Sequence, residues 1–148
     1  METIKAITPG ELAELKTAIE KAEKRTSGEI RVFLEDHSED GPLDRAAFLF
    51  DKLGMGKTDL HNGVLIYVAL KDRKFSIIGD YGIHAKVGPS FWDLIKEKMT
   101  NHFKSANIFE GLMIAVHDSG EALAKYFPYV EGDRNELSND VIFGDPEV

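Results

Sequence analysis

The sequence contains no cysteine, and this absence alone excludes several kinds of chemistry. Without thiols there is no disulfide, no thiolate zinc site and no cysteine nucleophile, so cysteine-dependent phosphatases and proteases are excluded. Long apolar runs are missing as well, because a stretch such as Val64 to Leu70 is far shorter than the roughly 20 residues that a bilayer-spanning helix needs. The N-terminus has an acid, Glu2, and no apolar core with a cleavage site. We therefore expect a cytoplasmic protein without a membrane span.

Positive charge is also scarce. The 148 residues include 18 Lys and Arg against 26 Asp and Glu, a formal net charge of -8. Because a nucleic-acid partner would need a basic stripe to neutralise phosphates, this charge argues against nucleic acid and favours a metal ion or a cationic partner. The excess acid is concentrated in residues 129–148, where six acids oppose Arg134 alone. We expect a domain at residues 1–128 and an acidic C-terminal extension at 129–148, either an added edge strand or a loosely held tail.

The apolar residues that are present predict three strands. Alternation from Gly28 to Glu35 predicts a strand with one face more buried than the other. The continuous apolar run at residues 63–70 is typical of a central strand covered on both faces. A turn at residues 71–73 then leads into a hairpin partner at 74–79.

Helical spacing separates and follows these strands. A capping box of Thr8 with Glu11 begins the first helix, and a second helix lies between the first two strands and ends at Gly54. Two more helices follow the third strand, with Ser90 and Asn107 predicted as their N-terminal caps. This order predicts an α/β fold, a three-layer α/β/α sandwich with a small mixed β-sheet.

The predicted topology gathers oxygen ligands at the amino edge of the sheet. Glu29 begins the first strand, Asn62 precedes the second, and Asp80 leaves the third. Two carboxylates with an amide or backbone carbonyl oxygen are the ligands that calcium or magnesium requires. The alternative interpretation is that Asn62-Gly63 and residues 79–82 are only turns, with Asp80 as a turn acid.

A second acidic loop follows the first strand. It places Asp36, Ser38 and Asp40 at positions 1, 3 and 5 of a calcium-binding loop, and Gly41 at position 6. The match then ends, because Ala47 occupies position 12, where a bidentate glutamate is needed. The loop is either a partial second cation site or an acidic, solvated surface loop.

Several segments of the sequence resemble the TPM domain family, whose members include thylakoid-lumen, bacterial and nematode proteins. The likeness extends from about Thr8 to Pro128 and is greatest for the short bacterial branch. It is carried by Thr-Ser-Gly-Glu-Ile-Arg at 26–31, Asn-Gly-Val-Leu-Ile-Tyr at 62–67, Gly-Asp-Tyr-Gly-Ile-His at 79–84, Phe-Trp at 91–92 and Phe-Glu-Gly-Leu at 109–112.

This resemblance implies an α/β/α sandwich that binds a divalent cation, often calcium. For the thylakoid members it also implies an acid phosphatase activity, whereas other members act as accessory or assembly modules in membranes. The positions that match the family's functional candidates are Glu29, Asn62, Asp80, Gly82, Asp72 and Arg73. Many relatives carry an export signal and a C-terminal membrane segment, and from this sequence we expect neither.

We therefore expect a TPM-domain protein that binds a divalent cation, calcium first and magnesium or manganese as alternatives. If it is an acid-phosphatase-like hydrolase of a small phosphorylated ligand, the cation would polarise a phosphoryl oxygen and activate a water molecule. Arg31, Arg73 or His84 would then balance the charge. The alternative is a non-catalytic interaction or assembly module in which a cation only stiffens loops around a structural site and the partner is another protein.

Overall fold

A computed structural model describes residues 6–130 and 140–144 of the chain. The helices are α1 (Pro9–Glu23), α2 (Pro42–Lys52), α3 (Tyr81–Val87), α4 (Pro89–Lys104) and α5 (Ile108–Tyr126), with a 3-10 turn at Met55–Lys57. The strands are β1 (Glu29–Glu35), β2 (Gly63–Ala69), β3 (Lys74–Gly79) and β4 (Ile142–Phe143). They form one sheet in the order β3-β2-β1-β4, in which β1 is parallel to β2 and β4, and β2 is antiparallel to β3.

Helices cover both faces of this sheet, which confirms the predicted α/β sandwich. Side chains such as Ile30 and Val32 of β1 pack into the larger core with α1, α3, α4 and α5, and Phe33 packs into a smaller core with α2. Every residue of β2 is buried, as its continuous apolar run predicts. Within the described residues, no helix combines the length and the apolar character needed to cross a lipid bilayer.

The structure corrects two local predictions after β3. The turn considered at residues 79–82 leads directly into the short helix α3, which the pattern missed because Tyr81 and Gly82 are more typical of turns. Ser90 does not cap α4. The N-cap is Gly88, and Pro89 occupies the first turn, where its missing amide hydrogen costs nothing.

The C-terminal extension contributes an edge strand. Ile142 and Phe143 of β4 lie beside Phe33 and Leu34 of β1. This agrees with the first of the two forms expected for the tail. The acidic positions 131, 133, 136, 145 and 147 lie outside the described residues, and the boundary at residue 128 stays a prediction.

Candidate functional site

Backbone hydrogen bonds bring the three predicted ligands to the amino edge of the sheet. The Glu29 amide donates to the Asn62 carbonyl oxygen (3.4 Å), and the Asp80 amide donates to the Gly63 carbonyl oxygen (2.9 Å). Glu29 and Asp80 therefore lie on either side of the start of β2. Two strand spacings separate their Cα atoms, about 10 Å.

Asn62 has an incomplete set of hydrogen bonds. The residue is 1% exposed, and its Nδ2 donates to Ser27 Oγ (3.4 Å). Its Oδ1 is buried and has no hydrogen-bond partner among the described residues. A buried polar atom without a partner costs about 1–3 kcal/mol of stability. Asn62 Oδ1 can therefore accept a hydrogen bond from a further donor or bind a cation.

Asp80 begins α3 and orients a histidine. One carboxylate oxygen accepts from the Tyr81 amide (2.7 Å), and the other lies 3.2 Å from His61 Nδ1. The imidazole of His61 also stacks on the ring of Tyr81, with centroids 4.2 Å apart. His61 has a φ of 51°, in the left-handed region that is costly for a residue with a Cβ. The ring is thus held by two contacts on a strained backbone, an arrangement more often found at functional sites than elsewhere.

Glu29 is 2% exposed and lies beside Glu23 at the end of α1. Glu23 Oε2 accepts from the Ile30 amide (2.7 Å). Burial raises the pKa of Glu23 to about 8, and the charge of Glu29 adds to this rise against the opposing effect of the Ile30 amide. Glu23 therefore keeps its proton near neutral pH, beside the carboxyl group of Glu29. Sequence analysis missed Glu23, since nothing in its local pattern distinguishes it from the other acids of α1.

The two predicted carboxylates thus have different partners in this structure. Glu29 is next to Glu23, and Asp80 is next to His61. Across residues 6–130 and 140–144 there is no group of three or more His, Asp or Glu residues close enough to hold a metal ion. A cation shared by Glu29, Asn62 and Asp80 stays a prediction.

The loop with Asp36 and Asp40 lies at the opposite, carboxyl edge of the sheet. Asp72 organises it, accepting from the Ser38 amide (2.7 Å) and pairing with His37 Nδ1 (2.8 Å). This pair raises the pKa of His37 and lowers that of Asp72. Asp36 Oδ2 lies 3.8 Å from Lys71 Nζ, and Asp40 is exposed. A cation site here also stays a prediction.

The residues expected to balance charge are divided among three places. Arg31 is half-buried near Glu29, and burial lowers its pKa. His84 Nδ1 accepts from Trp92 Nε1 of α4 (3.0 Å). Arg73 follows Asp72 in the hairpin turn, so the whole of β3, about 20 Å, separates it from Asp80. Arg73 therefore lies too far away to assist chemistry at the amino edge, and a role for it at the carboxyl edge stays a prediction.

A buried polar cluster at the carboxyl edge was also missed. The Arg45 guanidinium donates to both oxygens of Glu35 (2.8 and 3.1 Å), and the Tyr67 hydroxyl donates to Glu35 Oε2. Burial, with Glu35 close by, raises the pKa of Tyr67. Gly144 covers the cluster, and a Cβ there would lie 2.6 Å from Glu35 Oε1. These contacts join α2, β1, β2 and the C-terminal segment and leave the Arg45 side chain mostly enclosed.

Known proteins show the relationships of this chain. The sequence matches the family described as the TPM domain over residues 2–122. The chain is similar to BA42 of the psychrophilic bacterium Bizionia argentinensis, whose NMR structure has a TM-score of 0.86 and 46% identity over 93% of this chain and 95% of BA42. No curated protein matches the sequence.

Two further NMR structures share the fold at lower identity. The N-terminal domain of a P. gingivalis protein has a TM-score of 0.68 and 22% identity, covering 88% of this chain and 82% of that one. The N-terminal domain of cg2496 from Corynebacterium glutamicum has a TM-score of 0.62 and 14% identity, covering 79% and 74%. On the match over residues 2–122 and the likeness to BA42, the chain belongs to the TPM domain family.

Proposed function

We propose that this TPM domain binds a divalent cation at the amino edge of its sheet, with Asn62, Asp80 and Glu29 as ligands. The observation that carries the proposal is the buried Asn62 Oδ1, which has no hydrogen-bond partner among the described residues. Amide and carboxylate oxygens suit calcium best, because calcium accepts several oxygen ligands in flexible geometry. Magnesium and manganese are the alternatives.

Cation binding would exchange one set of partners for another. The cation would draw Glu29 away from Glu23, whereas Asp80 would keep its contact with His61. Since a cation favours ionised carboxylates, binding is expected to release a proton and to strengthen as the pH rises.

A metal titration of the full chain followed by NMR tests this proposal. Calcium, and then magnesium and manganese, should shift amide signals at residues 27–29, 61–63 and 80–82. Asn62→Ala should weaken binding at least tenfold, whereas the matched control Asn101→Ala, at an exposed position of α4, should bind normally. Saturation at one hundred times Kd should stabilise the fold by about 2.7 kcal/mol. Shifts confined to residues 36–40, or none at all, would contradict the proposed site.

Metal-assisted hydrolysis of a small phosphate ester is a second candidate function. The Asp80–His61 pair favours it, because a carboxylate that holds Nδ1 orients an imidazole to take a proton from water at Nε2. An enzyme should show turnover that chelator, Asn62→Ala and His61→Ala each abolish or lower at least tenfold. Cation-dependent NMR shifts without any turnover would instead support the non-catalytic interaction module.

A further inference from the structure

A groove lies between the end of β3, α3 and the first turns of α4. Its apolar lining includes Ile77, Pro89 and Trp92, and its polar lining consists of the side chains of His84, Asp93 and Lys96. The volume of the groove is about 250 Å³. This is the space of about eight water molecules, so the groove suits a small molecule and not a folded partner.

Two opposite charges line this groove from one side of α4. Asp93 and Lys96 are both exposed and lie three residues apart, about one helical turn. Neither side chain has an ion-pair partner in the part of the chain that the structure describes, so both charged groups can bind a ligand. A carboxylate accepts hydrogen bonds from an ammonium group, and a lysine donates them to a carboxylate. The pair therefore complements a ligand that carries both charges.

His84 adds a donor that is held in one orientation. Its Nδ1 accepts from Trp92 Nε1 (3.0 Å), and Trp92 is only 6% exposed. An imidazole that accepts at Nδ1 carries its proton on Nε2, and His84 Nε2 is therefore a hydrogen-bond donor. Together with Lys96 the groove offers two donors and, in Asp93, one anionic acceptor. This set matches the carboxylate and the ammonium group of an α-amino acid.

We propose that this groove binds a free α-amino acid with a small apolar side chain. Asp93 accepts from the α-ammonium group, Lys96 and His84 donate to the α-carboxylate, and the side chain of the ligand lies against Trp92 and Pro89. A ligand with a single charge binds more weakly, because it leaves one member of the Asp93–Lys96 pair without a partner. The proposal does not depend on cation binding, since none of these residues is a proposed ligand of the cation.

A titration of the full chain with leucine in metal-free buffer tests this proposal. Trp92 is the only tryptophan in the sequence, so its fluorescence reports directly on the groove. Leucine should change this fluorescence and, over the same concentration range, shift the NMR amide signals of residues 77–79, 84 and 92–96. 3-Methylbutylamine and 4-methylpentanoate keep the apolar group of leucine but carry only one of its charges, and each should bind at least about fivefold more weakly. No response to leucine, or equal binding of all three compounds, would overturn the proposal.

Neutral variants show whether the two charges of the groove act as proposed. Asp93→Asn should weaken leucine binding about tenfold and leave the binding of 4-methylpentanoate unchanged, whereas Lys96→Gln should weaken the binding of both compounds. Glu97→Gln and Lys104→Gln remove the same charges from exposed positions of α4 that do not line the groove, and they should bind leucine normally. Equal effects of the lining and the control variants would also overturn the proposal, because binding would then follow net charge.

Discussion

At the scale of single residues, the carboxyl pair of Glu23 and Glu29 is the most unusual chemical feature of the molecule. Both groups are withdrawn from water, and a buried carboxylate is costly unless it is protonated or neutralised. Arg31 is close enough to influence both, although its Nε is buried without a hydrogen-bond partner among the described residues. The pair therefore responds both to pH and to any cation that reaches it.

The raised pKa of Glu23 predicts a fall in stability with rising pH. The folded value of about 8 exceeds the ordinary 4.5, so the contribution of Glu23 is complete below pH 4.5 and is lost as the pH approaches 8. The side chain of Glu23→Gln stays neutral at every pH. In metal-free buffer we expect the unfolding free energy of this variant to exceed that of the wild type by about 2 kcal/mol at pH 8 and to differ little from it at pH 5. Urea unfolding across this range measures the effect. Glu14→Gln, at an exposed position of α1, should follow wild type, and a wild-type curve parallel to that of Glu23→Gln would contradict the prediction.

At the scale of elements, the caps of α4 and α5 show where local pattern succeeds and where it fails. Asn107 caps α5 as its sequence predicts, accepting from the Glu110 amide. Ser90 has the same local signature but lies inside the first turn of α4, because Gly88 and Pro89 begin that helix two residues earlier than a Ser90 cap allows. The presence of α3 immediately upstream determines this boundary, and a short helix is hard to detect from pattern alone.

The two caps should differ in their response to alanine. Asn107→Ala removes a side-chain acceptor from the start of α5 and should cost about 1 kcal/mol of unfolding free energy. Ser90→Ala removes no cap and should change stability by less than about 0.5 kcal/mol. Urea unfolding of both variants under one condition checks the comparison. Equal losses would mean that Ser90 caps α4 after all.

Gly82 allows α3 to pack against the loop that precedes β2. A Cβ at this position would lie 2.2 Å from the Leu60 carbonyl oxygen and 2.5 Å from that of His61. Since backbone cannot yield as a flexible side chain does, Gly82→Ala should lower the unfolding free energy by about 2–3 kcal/mol. The control is Gly10→Ala in α1, where the nearest atom is 3.9 Å away and stability should not fall. Thermal unfolding that ranks the two variants alike would contradict this packing.

At the scale of the whole molecule, the C-terminal segment closes the carboxyl edge. The Gly144 amide donates to the Leu34 carbonyl oxygen (2.7 Å), and Gly144 itself packs on Glu35. The side chain of Lys16 in α1 pairs with Asp140 (2.8 Å), and this ion pair connects the same segment to α1. Among the described residues, however, the buried apolar ones lie between Ile7 and Leu123. We therefore expect the core to form without this segment.

Deletion of residues 141–148 should leave a folded domain of lower stability. The loss of β4 exposes Glu35 and the apolar surface on which Val141, Ile142 and Phe143 pack. We expect the unfolding free energy to fall by about 1–3 kcal/mol and unfolding to remain cooperative. Urea unfolding and a dispersed NMR spectrum of the shortened chain are the measurements. A shortened chain that unfolds without cooperativity would place the extension within the domain rather than beside it.

The sequence by itself determined the features that depend on neighbours a few residues away. Alternation defined β1, a continuous apolar run defined β2, and the capping residues of α1 and α5 were visible because a cap bonds within one turn. These elements and their order were enough to predict the α/β/α sandwich and to bring Glu29, Asn62 and Asp80 to one edge.

Tertiary structure alone decided which partner each of these polar groups meets. Glu23 beside Glu29, Asp80 beside His61 and Arg45 beside Glu35 depend on how helices lie against the sheet, and no local pattern carries that information. The same packing left Asn62 Oδ1 buried without a hydrogen-bond donor among the described residues. The hydrogen bonds and the burial of a side chain depend on its neighbours in the folded protein. Its protonation and its ability to bind a ligand are therefore determined only when distant segments of the chain pack together.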